Sequence, residues 1–469
     1  MLLGKWEGDK MTTRWDKRHG KILLDFLGKL SENDIKWFIL RGYEGLPDIN
    51  PSKDVDIMIE TGKVSSAASL LKWTFEENDV KNLHEDCFGH IHCYVGMDIV
   101  HKLSIHIDLI DGYISKGFEV FTFEELYQHV TQYNGMNVLD DLMNGVMLVV
   151  YKIFGYRYAK LKPAYQADIF KAQQEYPKEF GDILSKIAGD DLGSKLTDLI
   201  AKKDFDTVVA LEPKFTKALK KYTIKIRPWS TIRYSAEFLW QKVSRIIFNY
   251  KKYAKTFAVM APDGTGKTTF LEALLKELNF YYVNDENDNR FHVYHFRPSI
   301  LPNLGAVGEK TGVMKQDTDF TNPHRSKPAN PFSSLIRISY YTLDYIIGWQ
   351  KCVRNDVHYD RYSVFDRYSY DFIVDPRRTK LNLPESIRAF FVKLTPQPGI
   401  VFVLNAKPET VYARKQELPL EEIERQSEMY KKVAESNKKR FVVIDAEQKP
   451  EEMAEQAIHY ILNKYTEKI

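Results

Sequence analysis

Apolar residues recur along this chain with two different spacings, and the changes from one to the other divide it. From Lys21 to Gly112 a helical pattern, ILLDFLGKLSEN, gives way to the strand-like runs WFILRG, DVDIMIE, CFGHIHCYV and LSIHIDLI, which predicts a small α/β unit. Residues 113–225 return to helical spacing, as in LMNGVMLVVYKIFGYRYAKL, and predict a helical region. Pro228 breaks that pattern. Beyond it SAEFLWQKVSRIIFNYKKYAK sets Phe238, Leu239, Val243, Ile246 and Ile247 on one side, so 226–255 reads as an amphipathic linker helix. From 256 to 469 five short apolar runs, TFAVM, FHVYHF, YSVFD, GIVFVLN and RFVVID, alternate with helical stretches. Strands separated by helices predict a parallel, doubly wound sheet. Residues 1–20 have no apolar stretch of signal-peptide length and read as a polar tail.

Length and composition sharpen this only in places. At 469 residues two or three domains are expected, and 44% apolar with 13% aromatic content is enough for them to fold. Three cysteines make no disulfide framework and fit a reducing, cytoplasmic setting. The most apolar stretches, Val146 to Tyr151 and Leu335 to Trp349, are too short or carry Arg337 and Asp344, so no bilayer-spanning segment is expected. Net charge is +3 overall, yet from Lys214 to Lys255 twelve Lys/Arg face one acid, Glu237. That segment reads as a connector with a solvated basic face; the alternative is contact with a membrane surface or a polyanion.

The chemistry concentrates after the run Phe257-Ala258-Val259-Met260, where the chain continues as APDGTGKTTF. A glycine-rich turn between a strand and a helix exposes backbone N–H groups to an anion. A lysine there reaches terminal phosphates, and a hydroxyl ligates Mg²⁺. Gly264, Gly266, Lys267 and Thr268 match those roles, with Asp263, Thr265 and Thr269 in the same ATP-binding stretch; Ala261 stands where the motif usually has its first glycine.

With its aspartate three residues before the final glycine, this loop resembles that of thymidylate kinase and related nucleoside-monophosphate kinases. Two further stretches agree: Asp366-Arg367-Tyr368 is similar to that family's Asp-Arg signature, and Phe296-Arg297-Pro298 stands where those kinases grip the acceptor. The resemblance implies ATP and Mg²⁺ as cofactors, with the metal near Asp366 and Thr268. It also implies Arg367 on phosphate, Arg297 on the acceptor and Asp263 on an acceptor hydroxyl. Tyr412-Ala413-Arg414-Lys415 falls where the superfamily has a basic lid, which implies that Arg414 and Lys415, with Arg425 as a further candidate, stabilise the transferring group. Helix-surface pairing with Glu417, Glu421 or Glu424 is the ordinary alternative for Arg414 and Arg425. The acceptor side departs from the family: a Pro-rich segment from Arg297 to Ser333 has the length of a binding loop, and the run Asp371-x-x-x-Asp375-Pro376-Arg377-Arg378 follows the Asp-Arg pair. Within that segment Arg325 and Lys327 either touch an anionic acceptor or are solvated loop charges.

A second constellation lies near the N-terminus. In a strand, residues two apart share a face, so Asp54 and Asp56 point together, and Asp108 on a neighbouring strand completes a carboxylate triad. Three such groups repel unless Mg²⁺ neutralises them, an arrangement suited to attack on a nucleotide α-phosphate. With the turn at Gly42, the set resembles the polymerase-β-like nucleotidyltransferases, although Tyr43 follows that glycine where the family has Ser or Gly. The alternative is a polar face on an edge strand. HEDCFGHIHC, residues 84–93, is rich in His and Cys but matches no recurring zinc spacing, and strand-surface histidines are the expectation.

The expected function is therefore ATP- and Mg²⁺-dependent phosphoryl transfer to a small alcohol or monophosphate acceptor, with a second nucleotide handled at the N-terminal domain for polysaccharide-precursor activation. A thymidylate or modified-nucleotide kinase is the alternative, and a non-catalytic nucleotide-binding module the second.

Overall fold

Short β-branched and aromatic runs become strands when alternate residues can be buried on a face, and this chain builds two sheets that way. The computed structural model describes residues 15–50, 54–80, 82–153, 161–248, 255–281, 291–302, 329–358 and 361–466. It divides into two units, Met1–Val243 and Ser244–Ile469.

In the first unit α1 (Lys17–Glu32) starts inside the stretch read as a tail, capped by Asp16, whose carboxylate accepts from the N–H groups of Arg18 and His19. There follow β1 (Trp37–Ile39), β2 (Val55–Ile59), α2 (Val64–Glu77), β3 (Asn82–Phe88), β4 (Ile91–Asp98) and β5 (Leu103–Asp111). The run CFGHIHCYV is thus split between two strands, with the turn at Gly89. After a small hairpin of β6 (Ile114–Ser115) and β7 (Phe118–Glu119) and a short α3 (Phe123–Tyr127), two more strands, β8 (Val130–Tyr133) and β9 (Met136–Leu139), join the main sheet. They turn at Asn134 and Gly135, both at positive φ (47° and 77°), the pairing that suits a two-residue hairpin loop. The sheet therefore runs on past Gly112, in the order β3-β4-β5-β2-β1-β9-β8. β2 lies parallel to β5, and β1 parallel to β9.

Helices α4 (Asp141–Met147), continued by a π-helical turn Leu148–Ile153, α5 (Pro163–Glu175), α6 (Pro177–Ala188), α7 (Asp190–Ala201), α8 (Phe205–Ala210), α9 (Glu212–Ile226) and α10 (Pro228–Phe248) follow. Pro228 opens α10 because its missing N–H would be unsatisfied at a first helical position anyway. The sheet is covered on both faces. Ile57, Ile59, Ile107 and Leu109 join the α1 and α2 core, whereas Met58 and Ile110 join the core of α4 to α9. Strand alternation puts Asp56 and Asp108 on that second face.

The second unit contains all five expected strands: β10 (Thr256–Met260), β11 (Phe291–His295), β12 (Tyr362–Asp366), β13 (Ile400–Asn405) and β14 (Phe441–Asp445). They are parallel throughout, in the order β11-β12-β10-β13-β14. The three central strands are almost wholly buried and the two edge strands are not, as expected of a parallel sheet covered on both faces. Its helices are α11 (Lys267–Tyr281), α12 (Pro331–Gly348), which passes through a π-helical turn, Trp349–Val353, into α13 (Arg354–His358), then α14 (Asp371–Val374), α15 (Glu385–Leu394), α16 (Pro408–Arg414), α17 (Leu420–Glu435) and α18 (Pro450–Thr466). The whole is a mixed α/β fold with a five-stranded, all-parallel sheet in its second unit. No described helix is long and apolar enough to cross a membrane. Arg325 and Lys327 lie outside the described residues.

Candidate functional site

In open parallel sheets the carboxyl ends of the strands carry the ligand-binding loops. Here β10 delivers the loop 261–266 straight into the N-terminus of α11. Gly264 (φ 85°) and Gly266 (φ 98°) both adopt left-handed backbone. At Gly264 a Cβ would stand 3.0 Å from Lys415 Cβ and 3.2 Å from the Val411 carbonyl, so only glycine lets α16 approach the loop. Thr265 Oγ donates to the Pro262 carbonyl at 2.9 Å and the residue is buried, so it shapes the turn rather than lining the cleft.

A cleft of about 840 Å³ opens over this loop. The remaining loop and helix residues singled out from the sequence, Asp263, Gly264, Gly266, Lys267, Thr268 and Thr269, line it, and so do Arg297, Asp366, Arg367, Arg414 and Lys415. Lys267 is buried and donates to the Ala261 and Pro262 carbonyls, both at 3.0 Å, with Asp263 Oδ1 at 3.5 Å. Burial, reinforced by Arg367, pushes its ammonium down to about 8. Asp263 is clasped on both oxygens: Arg367 donates to Oδ1 and Arg378 to Oδ2. Burial raises its carboxyl, but Arg367, Lys267 and Arg378 together outweigh burial and hold it well below the usual carboxylate range.

Arg367 sits at φ 73°, a left-handed conformation that strains an L residue. Its N–H donates to Val259 O at 3.0 Å, and its guanidinium to Asp371 Oδ2 at 3.0 Å, which ties β12 to β10 and aims the side chain at the loop. Asp366 has His295 Nδ1 3.2 Å from Oδ2, while Oδ1 is buried with no hydrogen-bond partner. A buried, unsatisfied carboxylate oxygen in the cleft that Thr268 also lines suits a hard divalent cation such as Mg²⁺.

Arg297 is more strongly braced. It donates to Asp344 Oδ2 at 2.7 Å, and its guanidinium stands over the Tyr341 ring at 5.4 Å. Arg414 donates to the Ala446 carbonyl at 3.2 Å, Lys415 pairs with Glu417 at 2.9 Å, and both are exposed. Arg425 is held by Glu422 and the Val374 carbonyl and does not line the cleft. Sequence reasoning passed over Arg378 as a site residue: it reaches Asp263 across 115 positions and pairs with Asp375 at 3.2 Å. Its only trace in the sequence was the unusual Asp-Pro-Arg-Arg run.

In the first unit, ligand oxygens of Asp54, Asp56 and Asp108 all lie within 4.8 Å of one another, because β2 and β5 set Asp56 opposite Asp108. Burial, then Asp56 and Asp54, raise the Asp108 carboxyl to about 8, and its Oδ1 is buried without a hydrogen-bond partner. These oxygen donors fit Mg²⁺. Arg41 Nη2 lies 2.5 Å from Asp56 Oδ2 and neutralises part of the cluster. Gly42 turns at φ 63°, while Tyr43 is buried with its ring 5.2 Å from that of Tyr133, a core side chain where the resembled family has Ser or Gly. Among the described residues HEDCFGHIHC forms no metal-ligand cluster.

No family model matches the chain, and no curated protein does. Among solved structures it is similar to thymidylate kinase from Ehrlichia chaffeensis, with 15% identity and a TM-score of 0.29, over 44% of this chain and 97% of that one.

Proposed function

We propose that the second unit is an ATP- and Mg²⁺-dependent phosphotransferase acting on a small alcohol or monophosphate. The observation that carries this reading is the convergence of Lys267, Asp366 and Arg367 on one cleft from two strand ends about a hundred residues apart in sequence. The loop N–H groups and Lys267 would receive the β- and γ-phosphates, Thr268 and Asp366 would hold Mg²⁺, and Arg367, Arg414 and Lys415 would surround the group in transfer. Mg²⁺, when bound, offsets phosphate charge. Phosphoryl transfer asks for positioning and cations rather than a covalent partner, which is what these residues supply. Asp263, kept ionised by Arg367 and Arg378, accepts from an acceptor hydroxyl, and Arg297 bounds the acceptor end. ADP release by the purified full chain with ATP, Mg²⁺ and a panel of alcohols and monophosphates tests this reading. A panel-wide absence of ADP above that of Lys267→Ala overturns it. ADP released with thymidylate alone would make the protein a thymidylate kinase.

A second activity, nucleotidyl transfer in the first unit, is supported by the carboxylate triad and by the orphaned Asp108 Oδ1. Asp54, Asp56 and Asp108 would hold Mg²⁺ there, with Gly42 admitting the nucleotide, and the two units would then activate one precursor in succession. Pyrophosphate release from a nucleoside triphosphate, lost in Asp54→Asn, is the expected result; release that persists in that variant removes the triad from the reaction.

A further inference from the structure

Helix α10 presents two different faces, and only one of them makes contacts within its own unit. On the inner side Thr231 is buried, Gln241 pairs through its side chain with both the N–H and the carbonyl of Gly89 (2.9 and 3.2 Å), and the Tyr234 ring meets His90 edge-on at 5.1 Å. Gly117 touches the same side so closely that a Cβ there would come within 2.5 Å of Ser235 Oγ. These residues recur at i, i+3, i+4 and i+10, which is one face of a helix.

The opposite face is apolar and in water. Trp229 is 81% exposed, Ile232 62%, Leu239 63% and Trp240 62%. At about 100° per residue these four side chains fall, with Ala236 and Val243, within an arc of roughly 100°. Two tryptophans eleven positions apart therefore mark the ends of a stripe about 16 Å long at 1.5 Å per residue. Large apolar side chains aligned in water in this way mark an interaction surface rather than chance exposure. The charge around the stripe says which kind. Among the described residues from Lys214 to Lys242 the only acid is Glu237, and it is already paired with Arg233 at 2.8 Å. Lys221, Lys225, Arg233 and Lys242 are exposed, and so are Ile224 and Ile226 where α9 ends.

We propose that this face docks the protein on an anionic lipid surface. Tryptophan and leucine enter the headgroup–acyl boundary while the surrounding lysines and arginines meet lipid phosphates, the combination that holds a helix in the plane of a membrane. The tryptophans suit it further, since an indole prefers the boundary to either water or hydrocarbon.

Sedimentation of the full chain with vesicles tests this. Equimolar phosphatidylcholine and phosphatidylglycerol should carry the protein down at low salt, phosphatidylcholine alone should not, and high salt should release it. Trp229→Ser with Leu239→Ser should weaken partition about tenfold while circular dichroism and ADP formation stay unchanged, because neither side chain lines a catalytic cleft. Absence of vesicle binding overturns the proposal, as does binding that the double variant leaves intact. Two other results also overturn it: a dimer in light scattering that Leu239→Ser dissociates, which makes the face a self-interface, and retention on heparin with no vesicle binding, which makes it a polyanion site.

Discussion

Both units carry aspartates on or beside their strands, but they balance charge in opposite ways. Among the described residues of the second unit, Lys267, Arg297, Arg367, Arg378, Arg414 and Lys415 line a cleft with Asp263 and Asp366 as its acids. In the first, Asp54, Asp56 and Asp108 have Arg41 beside them. A cation-lined cleft attracts a polyphosphate directly, whereas a carboxylate cluster repels one until a divalent cation arrives. Burial drives the two sites toward each other: it pushes Lys267 down to about 8 and Asp108 up to about 8. Burial thus disfavours the charged form of the key group in each site, an ammonium in one and a carboxylate in the other.

The contrast is broken most severely by Lys267→Ala. Loss of a preorganised cation at the transferring phosphate should lower ADP formation by about 10²–10³, with Mg²⁺-dependent stabilisation of the first unit unchanged. If both fall together, the sites are not independent. Asp54→Asn combined with Asp56→Asn should do the reverse. Mg²⁺ at about 100 times its Kd stabilises a site by about 2.7 kcal/mol; that increment, read as a thermal shift, should vanish while ADP formation persists. A smaller effect is expected of Gly264→Ala, which forces an L residue into a left-handed conformation at a cost of about 1–2 kcal/mol and crowds Lys415. Nucleotide affinity should fall with stability in that variant; unchanged affinity would show that the close approach of α16 does not matter to the loop.

The mildest test is pH. The folded value of Asp108 lies above its unfolded value, so the folded state keeps a proton that the unfolded state has lost between about pH 4 and about 8. Metal-free stability should decline as pH rises through that window, and Asp108→Asn should flatten the profile. Mg²⁺ must displace this proton, so its affinity should climb toward pH 8. Lys267 behaves oppositely: its folded value lies below 10.5, so its penalty is felt below about 8 and relieved above it. ATP, which needs the ammonium, should bind more weakly above about 8, by no more than about tenfold per pH unit for one proton. Calorimetry in two buffers of different ionisation enthalpy reads both proton counts.

Much of the second unit was legible because its signals are local. Apolar runs mark the five strands, and the two glycines and the lysine of the loop fall within four positions. The Asp54, Asp56 and Asp108 triad was legible through strand alternation plus one neighbouring strand. Asn134-Gly135 was an equally local hairpin signal that the helical spacing around it concealed. What pairs across the fold carried no such trace: Arg378 with Asp263, Arg297 with Asp344, and Arg41 with Asp56. Nor did spacing foretell the split of α10, whose inner face is taken up by Gly89, His90 and Gly117.

Sequence alone determined the glycine turn and the five strands of the second unit, because those depend on neighbours a few positions away. Only the tertiary structure decided which charges are neutralised, which carboxylate oxygens go unsatisfied and which face of a helix meets water. Those outcomes depend on burial and on partners up to 115 positions distant, and neither is encoded in any short window of the chain.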